Sequence, residues 1–312
     1  MRKIVLLLAF VISFAFSNTL TNIVKNISLP NVNNAIEDLN NLKKSYSKDD
    51  FKKLVKSWKK VQAVYLAGTI NEDYIDTPRY VDIFHYGNED ITVQLNRAIK
   101  STDDAKIELF RNSTKSINAV EYMLFKDETL SKRDKELLDV MFEAISSHLN
   151  DIKNVYSNFL KGEERDEKWG NAAIINILID STYKLKEWRV GDPAGYSRKY
   201  KDNPDNKRGE YYLSKQSFAA IKAILDAHNQ IIGEQKYKNY ATMAIDGGAK
   251  KQVLEVRKVL DESYKELAKL KKDDFTNAKA LFEALSKFHN TYYLSLIEEL
   301  SVTAKILDAD GD

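Results

Sequence analysis

Ser131 to Phe159 reads SKRDKELLDVMFEAISSHLNDIKNVYSNF. Within it Leu137, Met141, Ile145, His148, Ile152, Val155 and Phe159 recur every three or four residues, the period of one helix face. Ser131, with Asp134 three residues on, reads as a capping box that opens the helix. Lys161-Gly162-Glu163-Glu164 closes it, with Gly162 suited to the left-handed position past the last turn. A helix of this length, in a chain of 312 residues with only 4 Pro and 11 Gly, argues for long helices and against a many-turned β protein. The fold class expected is all-α.

The same pattern extends in both directions. Asn18 to Asn34 is Asn-rich and reads as a mobile lead-in. Ser47-x-x-Asp50 is another capping box, opening a helix through Leu54, Trp58, Val61, Tyr65 and Leu66. Asn71 to Asn88 breaks the period, with Pro78 and Gly87 inside, and a short helix follows near Ile91 to Ile99. Beyond Gly162 a helix spans Glu167 to Arg189. A long polar loop then runs from Gly191 to Gly209, and a helix from Leu213 to Gly233. Val253, Val256, Leu260, Tyr264, Leu267 and Leu270 share one helical face, as do Ala278, Phe282, Leu285, His289, Tyr292 and Leu296. Both halves read helix, long Pro-containing loop, helix, helix. The expectation is two helical-bundle domains, 18–162 and 163–312, with an internal duplication as one account of their similarity.

Residues 1–17 read as a signal peptide. Arg2 and Lys3 precede an apolar run from Ile4 to Phe16, too short to span a bilayer comfortably, and Ala15-Phe16-Ser17 fits cleavage before Asn18. The chain has no Cys. That excludes a lipidated cleavage site, disulfides and thiolate-held metals, and suits the oxidising periplasm. Cleavage would remove two of the 48 basic residues and none of the 46 acidic ones, leaving a formally neutral chain. No membrane span is expected after cleavage, and no nucleic-acid partner, since that needs a concentrated positive field.

Ser116-Ile117-Asn118-Ala119-Val120-Glu121, followed by Tyr122-Met123-Leu124-Phe125, resembles the G-x-H-x-x-E signature of the imelysin family. Ser116 stands in place of Gly, Asn118 in place of His, and Glu121 is retained. Three further stretches are similar in family order. They are the Trp58-centred helix, the segment Thr77-Pro78-Arg79-Tyr80-Val81-Asp82, and the S-x-x-S start at Ser214-Lys215-Gln216-Ser217. The resemblance implies an exported all-helical protein of two bundles, with the motif near their interface. It also implies a group classed with metallopeptidases and linked to bacterial iron uptake.

On a helix Asn118 and Glu121 project from one face. They are either half of a cation site or two residues that hydrogen-bond across a packing interface. An amide oxygen beside the carboxylate suits a hard cation such as calcium or magnesium better than zinc or ferrous iron. The chain has no H-E-x-x-H, so the zinc-protease signature is absent. His148, His228 and His289 sit on apolar faces and read as hydrogen-bonded core residues. His85 lies in the first long loop between Phe84 and Tyr86, near Arg79. It is either the replacement imidazole or an ordinary loop His. Ser214 and Ser217 read as a helix start or as polar ligand contacts, without a base to make them nucleophiles. Trp58, Trp169 and Trp188 read as core.

The candidate ligand-binding set is therefore Ser116, Asn118, Glu121, His85, Arg79, Ser214 and Ser217, with Glu121, Asn118 and His85 as the metal candidates. No catalytic residue is assigned. The favoured reading is a periplasmic binding or accessory protein tied to uptake of iron or another metal, whose ligand is a divalent or iron cation or a small molecule and whose partner is an iron-uptake protein. A metal-dependent peptidase and a protein- or polysaccharide-binding scaffold are the alternatives.

Overall fold

The computed structural model describes residues 18–86, 90–162 and 165–292. The expected leader, Gly87 and Leu296 lie outside them. Among the described residues there is no strand, and the chain is all-α. Nor is any described helix long and apolar enough to cross a membrane.

The helix read from Ser131 to Phe159 spans Lys132–Phe159, with the Ser131–Asp134 capping box formed in both directions. Its stripe of Leu137, Met141, Ile145 and Ile152 is fully buried. The Lys48–Ala63 helix starts where Ser47 Oγ accepts from the Asp50 amide. Leu29–Ser45 packs against both of these helices. Ser217–Ile232 packs against Lys48–Ala63 and against Lys250–Lys269, which in turn meets Lys279–Asn290. One buried apolar cluster runs through all of these helices, from Leu20 to Tyr292.

The lead-in is not loose. Thr19–Ile23 is helical, continues as a π-turn over Val24–Ser28 and runs straight into Leu29–Ser45. Leu20, Ile23, Val24, Ile27 and Val32 are sealed in the core. Their spacing is helical, but the interspersed Asn residues, poor helix formers, disguise it. Two other expectations need correction. The helix expected from Leu213 begins at Ser217, and its N-terminus is capped by neither serine. Asp273 caps it from afar, accepting from the Ser217 and Phe218 amides at 2.5 and 3.0 Å. Trp169 is not core: it is 36% exposed and lies under Arg165.

Candidate functional site

Lys59 holds the third place in a stripe of Phe51, Val55 and Lys59, spaced four residues apart on the buried side of its helix. Its side chain is fully sealed from water. The ammonium donates to Asp82 Oδ2 at 2.6 Å, to Gln62 Oε1 at 2.7 Å and to Glu210 Oε1. Such a charge survives burial only where paired and bonded on every side. Asp82 Oδ2 also accepts from Trp58 Nε1 and Tyr211 OH, each at 2.9 Å, and Oδ1 accepts from the Phe84 amide. Burial alone would raise the Asp82 pKa. Lys59 and these donors outweigh it and hold the carboxyl down at about 2.

Arg189 completes the cluster. Its Nε donates to Glu210 Oε2 at 2.8 Å and its Nη2 to Gln62 Oε1 at 3.0 Å. Burial opposes its charge, but Glu210 and Asp82 more than compensate. Two cations thus face two anions, and the buried charges balance.

Glu121 is a third carboxyl beside this balanced set. It sits in the Ile117–Phe125 helix and is only 6% exposed. Its Oε1 accepts from the Ser214 amide at 2.8 Å and from Ser214 Oγ at 2.6 Å. Burial raises its pKa to about 7. The Ser214 bonds pull the other way, while the negative charges of Glu210 and Asp82 add to the rise.

The motif's other members hold the backbone. Ser116 caps the helix, its Oγ accepting from Ala119 N at 3.3 Å. Asn118 Oδ1 accepts from Ile83 N at 2.8 Å, pinning the residue next to Asp82. The Ile117–Phe125 helix therefore grips two segments, one carrying Asp82 and the other Glu210.

His85 goes elsewhere. Its backbone is left-handed, φ 66°, an uncommon state for a side chain other than glycine. Its ring stacks on Trp188, centroids 4.2 Å apart and planes within 2°. Its Nε2 lies 2.6 Å from Asp192 Oδ2. Trp188 and Arg189 belong to a π-helix, Leu185–Gly191, which runs on into Asp192. Widened turns of this kind recur at functional sites. Here one such turn serves both the ion cluster and the His85 stack.

Arg79 is largely exposed, pairs with Asp76 at 3.3 Å and lies over the Tyr86 ring. Ser217 is buried and donates its hydroxyl to the Glu210 carbonyl at 2.6 Å, bracing the cluster from behind. Of the residues nominated from sequence, the structure joins Glu121 to Ser214. It bonds Asn118 to Ile83 and His85 to Asp192. Among the described residues no group of three or more His, Cys, Asp or Glu is arranged to hold a metal ion. The donors present therefore do not compose the three-ligand site that a resident catalytic zinc requires. Of the three histidines expected in the core, only His228 is fully buried, where it meets Ser181 and Tyr292; His289 is partly buried and meets Thr182, and His148 is partly buried against the Tyr80 ring.

Lys59, Gln62, Arg189 and Glu210 were not nominated from sequence. Only Lys59 carried a signal, as a lysine in an apolar stripe.

No curated protein matches the chain. An imelysin-like protein from Psychrobacter arcticum 273-4 has a similar structure, with TM-score 0.70 and 14% identity, covering 92% of this chain and 95% of that one. A protein named as an iron-regulated protein A precursor, from Parabacteroides distasonis ATCC 8503, gives TM-score 0.66 and 12% identity, covering 90% and 94%. At these identities the likeness speaks for the fold alone. The family model described as Imelysin (peptidase M75) matches residues 31–311. The chain belongs to the imelysin family.

Proposed function

We propose that this chain is an exported binding or accessory protein of its family, acting in the periplasm on iron or another metal ion taken up as cargo, with Glu121 as the receiving carboxylate. The observation that supports this is the charge count at the site. Lys59 and Arg189 are used up by Asp82 and Glu210, while among the described residues Glu121 has no cationic partner, and burial keeps a proton on it up to about pH 7. An arriving cation would supply the missing charge and displace that proton. The family and the naming of one structural relative as iron-regulated support iron as the first ion to try. In this reading residues 1–17 direct export, and the halves meeting near Gly162 form two bundles with the site between them.

Calorimetric titration with ferrous, ferric, copper, zinc and calcium ions tests the proposal. Heat with at least one ion, abolished by Glu121→Ala, is expected. No heat with any of them removes the metal assignment.

A further inference from the structure

A separate cleft uses none of the residues of the Glu121 site. It lies between the turns Ala67–Ile70 and Glu72–Tyr74 on one side and the end of the Lys132–Phe159 helix on the other, and encloses about 170 Å³. Ile70, Tyr74 and Phe159 give it partly buried apolar walls, and Asn71, Asn154 and Asn158 give it an exposed amide edge. No charged side chain lines it.

Asn154 and Asn158 are four residues apart, so they share one helix face. Among the described residues neither side-chain amide has a hydrogen-bond partner. Each offers a donor and an acceptor to whatever enters.

The opposite wall is set in advance. A Cβ on Gly68 would meet Ile75 Cα at 2.7 Å, so only glycine permits this close approach of the two turns. Tyr65 OH donates to the Tyr74 carbonyl at 2.6 Å, and Asn71 Oδ1 accepts from the Asp73 amide at 3.1 Å. A wall already fixed spares a ligand the cost of ordering it.

These features select the ligand's chemistry. A charged group would lose hydration without finding a counter-ion. A wholly apolar one would leave the amides facing it unpaired. The volume is below the roughly 300–1,000 Å³ of a drug-sized site. We propose that the cleft is a subsite for one neutral sugar ring, its apolar face on Tyr74 and Phe159 and its hydroxyls on Asn154 and Asn158.

Saturation-transfer NMR on the full chain, with glucose, galactose and N-acetylglucosamine as separate probes, tests this. Transfer to the ring protons of at least one sugar is expected, at millimolar affinity. The double variant Asn154→Ala/Asn158→Ala alters exposed residues only. It should weaken binding about tenfold or more without lowering the unfolding midpoint, since Ala is the better helix former. The proposal fails if no sugar receives transfer, or if the double variant binds as well as the parent. Either failure leaves the Glu121 reading intact, because metal titration monitors a different set of residues.

Discussion

Lys59 Nζ lies 2.6 Å from Asp82 Oδ2, and both side chains are completely shielded from solvent. The pair joins the C-terminal half of the Lys48–Ala63 helix to the loop after Val81. Through Glu210 and Arg189 it reaches the second half of the chain. Replacing Lys59 with Met keeps the length and apolar stem but leaves Asp82 buried without a cation, because Arg189 still pairs with Glu210. The expected loss of folding stability is about 3–5 kcal/mol, read from urea unfolding. A loss below about 1 kcal/mol would mean that the cluster is far wetter than its burial implies.

Glu121 should make stability depend on pH. Its pKa is raised from 4.5 to about 7 in the fold. Between those values the folded chain keeps a proton that the unfolded chain has released. Stability therefore falls as pH rises through this window and levels off above about 7. Glu121→Gln still presents an oxygen to Ser214 but has no proton to lose. Above the window it should be more stable than the parent by about 3 kcal/mol, with the gain fading towards the acid side. Parallel denaturation curves at acidic and alkaline pH would show it. A pH-independent difference would contradict the assignment.

Asn118 is a backbone anchor in this chain. Asn118→Ala leaves the Ile83 amide without its acceptor and should cost about 1–2 kcal/mol. Asn118→His restores an imidazole one helix turn from Glu121. Competition against a chromogenic chelator should show zinc or copper bound about tenfold or more tightly by the His variant than by the Ala variant. Equal affinity in the two would show that this position cannot direct a nitrogen towards Glu121.

Asp273 stands in for a local cap on the Ser217–Ile232 helix. Asp273→Ala should destabilise the chain by about 1–2 kcal/mol. Because Ser217 braces the Glu210 carbonyl, hydrogen exchange should quicken at Ser217 and Phe218 before it quickens in the distant Lys132–Phe159 helix.

The helices were readable because burial imposes a period, as at Leu137, Met141, Ile145 and Ile152. The first helix was missed because its Asn residues mimic a loop while Leu20, Ile23, Val24 and Ile27 keep the spacing of a core face. At the site, Glu121 and Ser214 could be named from local motifs, but their bond joins positions 93 residues apart, and no local pattern records it. Glu210 and Arg189 carry no periodic signal at all. Their significance comes only from charge compensation across the fold. Asn118 shows the opposite difficulty: its place in a familiar signature pointed to a ligand, while the structure gives its oxygen to the Ile83 amide.

The wide turn at Leu185–Gly191 also has a bearing on descent. A π-turn is an α-helix carrying extra backbone in one revolution. Excising a single residue there would swing everything beyond it by about 100°. Trp188 and Arg189 could not then both keep their present neighbours. Kinship within this lineage should accordingly be judged by the residue count through this turn as well as by side-chain identity. A cousin one residue shorter here would have had to rebuild its ionic core from different parts.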